Sequence, residues 1–263
     1  MPLYLKALFL SLIQAFTEFI PVSSSGHLII FGRYLNFVNT DAQLFGAVIQ
    51  LASAFAVILY FKRILFGVAF TLHKNKKSRE FVCNFTIAFL TCAIPGILIY
   101  EYVKEYLTSN YVIAISLILG GIIFLIMDRI KLKVKYKKVE DVDKISSFKV
   151  GISQLFAIIP GVSRSGSTII GGLLSKMSRK TAVEFSFILS IPTVFASTLL
   201  DLYKNFDKIS SDNIGLLLFG FFTTFLVSLL VIKVFLKYVS EHNFNIFGYY
   251  RIILGILVLI KLL

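Results

Sequence analysis

The sequence predicts an all-α polytopic membrane protein, and three observations support this fold class. Hydrophobic residues make up 57% of the 263 residues and charged residues only 16%, against roughly 25% charged in soluble domains. So few charges cannot cover the outside of a water-soluble fold. Several apolar runs are also long enough to span a membrane. The composition therefore excludes a disordered chain, a disulfide scaffold and a coiled coil.

Six apolar runs approach or exceed the roughly 20 residues that a spanning helix needs. They are 41–62, 81–100, 111–128, 181–203, 214–238 and 246–263. Two further runs, 3–32 and 148–176, are interrupted at their centres by proline, glycine and polar residues. Irregular backbone at membrane depth is tolerated only inside protein or beside a watery cavity. The two interruptions are therefore candidate functional sites.

The net charge of +13 is explained by basic residues in the loops between spans, and no nucleic-acid partner is expected. Lysine and arginine concentrate in three stretches, which are 62–79, 129–149 and 176–180. Since cytoplasmic loops collect basic residues, we expect these stretches inside and the more acidic connections, 101–110 and 201–213, outside. Only the run 148–176 separates the second basic stretch from the third. It must therefore enter the membrane and return to the same side as a re-entrant hairpin.

An internal repeat relates the two halves of the chain. At an offset of 140 residues, 14–30 aligns without a gap to 154–170, and eight of 17 positions are identical. Each half then contains one interrupted run and three spans, and because three is odd the second half is inverted. Such repeats are typical of transporters, with the site between the halves.

The repeat divides the chain into three parts, and it predicts six transmembrane helices plus two re-entrant helical hairpins. The parts are a first repeat over 1–128 with its hairpin at 3–32, a basic cytoplasmic linker over 129–147, and a second, inverted repeat over 148–263 with its hairpin at 148–176.

The chemically active side chains gather at the two hairpin tips. The first tip carries Gln14, Glu18, Ser23, Ser24, Ser25 and His27, and the second carries Ser163, Arg164, Ser165, Ser167 and Thr168. An arginine among hydroxyl groups, just before a new helix, favours a phosphate-bearing ligand. The alternatives are a structural ion pair of Arg164 with Glu18 or Glu184, and serines that satisfy freed backbone groups.

Both tips closely resemble the signature motifs of bacterial undecaprenyl-diphosphate phosphatases, the bacitracin-resistance family. The first motif is Gln-x-x-x-Glu-Phe-x-Pro-Val-Ser-Ser-x-Gly-His at 14–27, and the second is Pro-Gly-x-Ser-Arg-Ser-Gly-x-Thr at 160–168. The resemblance implies removal of the terminal phosphate of undecaprenyl diphosphate, which recycles the lipid carrier for cell-wall synthesis. It also implies a divalent cation (Mg or Ca), a homodimer, and a site in the bacterial plasma (inner) membrane that opens to the periplasmic face.

The same resemblance implies roles for residues at both tips. The catalytic residues are Glu18, Ser24, His27 and Arg164, the metal ligands are Glu18 and Gln14, and Ser163 and Thr168 bind the diphosphate with Arg164. From the polar groups of the tips themselves we also expect Ser23, Ser25, Ser165 and Gly166 to bind substrate. Gln14 stands where many members have glutamate, which leaves one carboxylate fewer for the metal. Whether Ser24, His27 or a water is the nucleophile stays open. A lipid-phosphate flippase or transporter with the same repeat is the alternative function.

Overall fold

The computed structural model describes residues 1–37, 40–107, 109–204 and 211–262. Over these ranges the chain forms eleven α-helices and two short 3₁₀ turns, which confirms the all-α prediction. The helices are α1 (Leu3–Phe19), α2 (Ser24–Tyr34), α3 (Thr40–Tyr60), α4 (Lys62–Thr71), α5 (Lys76–Tyr106), α6 (Asn110–Arg129), α7 (Lys144–Leu155), α8 (Arg164–Leu174), α9 (Arg179–Lys204), α10 (Ser211–Glu241) and α11 (Asn245–Leu262). The outer connection expected at 201–213 includes 205–210, which lie outside the described residues.

Five helices in the described ranges are long and apolar enough to cross a membrane. They contain the segments Ala42–Tyr60, Lys76–Ile99, Asn110–Arg129, Arg179–Tyr203 and Asn213–Glu241. Apolar side chains cover their outer faces, as in α10, where Leu226, Leu230 and Val234 recur every fourth residue and are all exposed. Lipid is the solvent that matches such a surface. The chain is therefore a multi-pass membrane protein.

Two parts of the fold differ in detail from the predicted runs. The run 246–263 corresponds to α11, an 18-residue helix that is not among the five helices above. The connection at 62–79 contains a further helix, α4, none of whose residues is buried. Its Ile64, Leu65 and Val68 are partly buried and pack against the core, but ten residues are fewer than a spanning helix needs, so the criterion of span length does not predict it.

The two interrupted runs fold as pairs of short helices that pack against each other, α1 with α2 and α7 with α8. The second helix of each pair starts in the same way. Ser23 and Ser163 have left-handed φ angles of 75° and 76°. Each side chain caps its helix, because Ser23 Oγ accepts the Gly26 N–H at 3.3 Å and Ser163 Oγ accepts the Gly166 N–H at 3.1 Å. Such caps satisfy N–H groups that a helix start leaves unpaired.

The three basic stretches meet at one end of the bundle. In the linker, Tyr136 donates its N–H to the carbonyl of Lys176 at 3.1 Å and accepts the N–H of Ser178 at 2.8 Å. Asn84, just beyond the first basic stretch, donates to the carbonyl of Val142 at 2.7 Å. Because α7 starts and α8 ends beside these contacts, the second helix pair opens at this basic end.

Asp143 fixes the start of α7 at the basic end, accepting the Ser146 N–H at 2.8 Å and the Tyr136 hydroxyl at 2.6 Å. Burial raises the pKa of the Asp143 carboxyl, but these hydrogen bonds and Lys135 outweigh it and hold that pKa well below its usual range. The carboxylate therefore stays ionised and caps the helix at every pH near neutrality.

The first helix pair opens at the opposite end. Lys6 Nζ donates to the carbonyl of Asn36 at 3.4 Å, which joins the start of α1 to the end of α2. Arg33, in the last turn of α2, donates to Asn110 at the start of α6. From there α6 runs for about 30 Å to Asp128, which pairs with Arg179 at the basic end at 3.0 Å.

Helices α6 and α11 form the most extensive interhelical contact in the described fold. Glycines allow their backbones to approach closely, as is common between helices in membranes. A Cβ atom at Gly121 would lie 2.6 Å from the carbonyl oxygen of Gly248, and one at Gly255 would lie 2.8 Å from that of Ala114. Neither glycine can therefore gain a side chain without moving a helix.

We predict that Gly121→Ala lowers the thermal unfolding midpoint in detergent, because overpacking at a backbone contact costs about 1–3 kcal/mol. The matched control is Gly46→Ala within α3, where a Cβ atom meets nothing within 4 Å. That control should equal or exceed the wild-type midpoint, since alanine is the better helix former by about 1 kcal/mol. Equal midpoints for the two variants would contradict the close packing.

Candidate active site

The carboxylate of Glu18 joins the two helix breaks. Its Oε1 accepts Arg164 Nη2 at 3.0 Å, while its Oε2 accepts Gln14 Nε2 at 3.0 Å and the Ser24 hydroxyl at 2.7 Å. Gln14 and Glu18 lie one turn apart on α1, Ser24 begins α2, and Arg164 begins α8. Three side chains singled out by the sequence therefore meet at the carboxylate of a fourth.

Both charged groups of this cluster are sheltered. The Glu18 side chain is 9% exposed and the Arg164 side chain 14%. Arg164 Nη1 also donates to the carbonyl of Ser186 at 3.0 Å. Its buried Nε has no hydrogen-bond partner among the described residues. Removing one partner of such a pair strands the other charge, which costs several kcal/mol.

Oxygen donors for a cation are few at this cluster. The described residues contain no group of three or more His, Cys, Asp and Glu side chains suited to a metal. The available oxygens are the Glu18 carboxylate and Gln14 Oε1, which is buried and has no partner within the described chain. Mg²⁺ often uses one or two carboxylates together with substrate phosphates. This donor set therefore fits a divalent cation shared between protein and substrate.

The hydroxyl groups near both helix starts form similar local contacts. Ser23 and Ser25 have their Oγ atoms 3.5 Å apart, and Ser163 and Ser165 have theirs 3.2 Å apart. Ser165 Oγ also donates across the tips to the carbonyl of Ile20 at 3.4 Å. Of these four serines only Ser25 is exposed.

Thr168 and Gly166 are buried beside Arg164 in α8. The Thr168 Oγ1 lies 2.6 Å from the Oγ of Ser186, and Gly166 uses its N–H for the Ser163 cap. Ser186 on α9 is thus linked both to Arg164 and to Thr168, although the sequence analysis did not single it out.

His27 lies one turn after Ser24, and both of its ring nitrogens are engaged. Nδ1 is 2.7 Å from the carbonyl of Ser23, and Nε2 is 2.7 Å from the hydroxyl of Tyr250. Because a carbonyl can only accept, Nδ1 carries the proton in the neutral ring and Nε2 accepts from Tyr250. The hydroxyl of Ser24 donates instead to Glu18.

Arg251 on α11 is completely buried, and it binds both tips at once. Its guanidinium donates to five backbone carbonyls, those of Pro21 in the first tip, Gly161 and Val162 in the second, and Ser116 and Leu117 in α6. The sequence did contain a signal for this residue, since a charged side chain inside a predicted span is functional by default. The apolar run 246–263 around it nevertheless reads as a plain span.

Comparison with known proteins finds a matching family and relatives that align over most of their length. Residues 7–257 match the family described as bacitracin resistance protein BacA. A relative from Methylobacillus flagellatus is 44% identical over 262 residues, covering 98% of this chain and 97% of its own length. Relatives from Nitrosospira multiformis and Neisseria gonorrhoeae are 43% and 39% identical, and each covers 94% of its own length. All three are named undecaprenyl-diphosphatase.

The match extends across both helix breaks and all but the chain ends, and the relatives align over nearly their whole lengths. The chain therefore belongs to the bacitracin resistance protein BacA family.

Proposed function

We propose that this chain is a plasma-membrane phosphatase that hydrolyses undecaprenyl diphosphate to undecaprenyl phosphate and inorganic phosphate. The names of the relatives supply the substrate. The contact that supports the chemistry is the 2.7 Å bond from the Ser24 hydroxyl to Glu18, with Arg164 on the other carboxylate oxygen. Recycling the lipid carrier in this way sustains cell-wall synthesis and lowers sensitivity to bacitracin.

Arg164 binds the diphosphate in this proposal. Its guanidinium can hold two phosphate oxygens at once, and its Nε is the buried N–H that lacks a partner in the described chain. The start of α8 lines the same place with Ser163, Ser165, Gly166 and Thr168. The start of α2 also lines it, with Ser23 and Ser25. Helix starts favour anions, since their N–H groups point outward.

Ser24 is the nucleophile in this proposal, and Glu18 takes its proton. The Ser24 oxygen forms a bond to the terminal phosphorus, the bond from that phosphorus to the bridging oxygen breaks, and undecaprenyl phosphate leaves. Water then attacks the phosphoserine and releases inorganic phosphate. Phosphoryl transfer depends mainly on positioning and charge neutralisation; Glu18 positions the Ser24 hydroxyl, and Arg164 supplies positive charge.

His27 serves the same reaction from the next turn of α2. Its Nε2, whose lone pair accepts the Tyr250 hydroxyl, takes up the proton of the attacking water through that hydroxyl, while Nδ1 stays bonded to Ser23. A divalent cation, Mg or Ca, would be held by Glu18 and Gln14 Oε1 and would neutralise charge on the phosphates. With a single carboxylate in this set, we expect weak binding of the cation without substrate.

We further propose six spans and two re-entrant hairpins arranged as an inverted repeat over 1–128 and 148–263, joined by the basic linker 129–147. In support, α1 packs against α10 while α7 packs against α5, α3 contacts α9, and α6 contacts α11. Each half thus packs its hairpin against the other half. With the basic end in the cytoplasm, the first hairpin opens to the periplasm and gives substrate access from that face.

The topology predicts opposite accessibility for two cysteine probes. In a chain whose Cys83 and Cys92 are replaced by alanine, Tyr34→Cys at the end of α2 should react with a membrane-impermeant thiol reagent in intact cells. Lys144→Cys at the start of α7 should react only after the cells are permeabilised. Labelling of both probes from the same side would contradict the inverted arrangement.

Arg164→Ala should lower phosphate release from undecaprenyl or farnesyl diphosphate in detergent by at least a hundredfold, because it removes the phosphate ligand and strands Glu18. The matched control is Arg179→Ala, which breaks a second arginine–carboxylate pair of 3.0 Å at the basic end. It should retain activity within about threefold. Wild-type-like activity of Arg164→Ala would contradict the assigned role.

Two controls complete this assay. EDTA should abolish phosphate release and Mg²⁺ or Ca²⁺ should restore it, because without the cation part of the negative charge on the phosphates is not neutralised. If the wild-type chain moves lipid phosphate across vesicle membranes but releases no inorganic phosphate, its function is that of a flippase or transporter and not that of a phosphatase.

A further inference from the structure

We propose that Tyr250 is a positioning residue of the reaction, which holds His27 in one tautomer and one orientation through both of its protonation states. This inference rests on the proposed function. It starts from a 2.7 Å contact between two side chains 223 positions apart in the sequence. It adds a residue from α11, outside both hairpin motifs, to the site.

The contact between the rings is well defined. The Tyr250 ring lies nearly parallel to the His27 ring, with an interplanar angle of 9° and centroids 5.7 Å apart. Phe31, one turn further along α2, stacks against the same imidazole at 6.3 Å. His27 itself is only 2% exposed. Among the described residues, Nε2 has one polar partner, the Tyr250 hydroxyl.

A hydroxyl suits this position because it can donate or accept. When the imidazole is neutral, Nδ1–H donates to the Ser23 carbonyl and the Tyr250 O–H donates to Nε2. When the Tyr250 hydroxyl passes its proton to Nε2 and takes the proton of the attacking water in exchange, the Tyr250 oxygen accepts the new Nε2–H. The hydrogen bond therefore persists while His27 takes up and returns a proton, and no buried nitrogen loses its partner.

Arg251 explains why Tyr250 stays in reach of His27. The neighbouring guanidinium is fixed by five carbonyls, one of which belongs to Pro21 in the turn that leads into α2. The backbone of α11 cannot slide relative to this turn without breaking those bonds. Arg251 therefore fixes the turn, and its neighbour Tyr250 fixes the His27 imidazole that follows the turn.

Tyr250→Phe tests the hydroxyl alone, because the ring and its stacking remain. We expect kcat for phosphate release to fall about tenfold, the size of one lost hydrogen bond, with KM within twofold. The matched control is Tyr249→Phe, the exposed neighbour on the same helix, which should behave as wild type. Unchanged kcat in Tyr250→Phe would overturn the proposal.

A double-mutant cycle separates positioning of His27 from a general structural effect. In a His27→Ala background, Tyr250→Phe should change kcat by less than twofold, since the residue it positions is absent. Independent tenfold losses that multiply would show that Tyr250 acts elsewhere, and would overturn the proposal.

A spectroscopic measurement tests the contact without any turnover. The chain has three histidines, so His73→Ala and His242→Ala leave a single ¹⁵N-labelled imidazole for NMR in lipid bilayers. We expect one tautomer with the proton on Nδ1, and an Nε2 resonance that shifts in Tyr250→Phe but not in Tyr249→Phe. An Nε2 resonance that is indifferent to Tyr250 would overturn the proposal. Absence of phosphate release with an intact NMR signature would instead reject the proposed function.

Discussion

The structure depends on one completely buried guanidinium, that of Arg251. Two helices are broken inside an apolar bundle, and each break frees carbonyl groups that lipid cannot satisfy, at a cost of several kcal/mol per group. A guanidinium carries only N–H donors and no acceptor, and the three nitrogens of Arg251 donate to five carbonyls in both tips and in α6, with Nη2 shared among three of them. This single side chain holds the two breaks together at one point.

The arrangement of charge at the site follows from that junction. Because the tips meet, Glu18 from the first can pair with Arg164 from the second, and the same carboxylate takes the Ser24 hydroxyl. Opposite charges from the two halves thus neutralise each other in a sheltered place. A diphosphate presents more negative charge than Glu18 alone, and it can compete for Arg164. In the proposed reaction this exchange would release Glu18 to accept the proton of Ser24.

Much of this site could be predicted from the sequence, because polar residues stand out within apolar runs. The repeat placed Glu18, Ser24 and Arg164 on interruptions at related positions, and they do meet. Tyr250 and Arg251 were missed for a physical reason: their partners are distant in sequence, and no local periodicity marks a contact between α11 and the tips. Treating 246–263 as a plain span also ignored the charge of Arg251. Helix α4 was missed because its ten residues are too few for a span, although its apolar residues pack against the core.

The central claim is that Ser24 attacks phosphorus while Glu18 takes its proton, and trapping the intermediate tests it most directly. Enzyme mixed with excess substrate should be quenched in acid within one turnover, digested and sequenced by mass spectrometry; a parallel sample quenched in alkali preserves acid-labile phosphohistidine. We predict phosphate on Ser24 in the wild type, more of it in His27→Ala, and none in Glu18→Gln. Phosphate on His27, or no phosphorylated peptide in wild type or His27→Ala, would contradict the account.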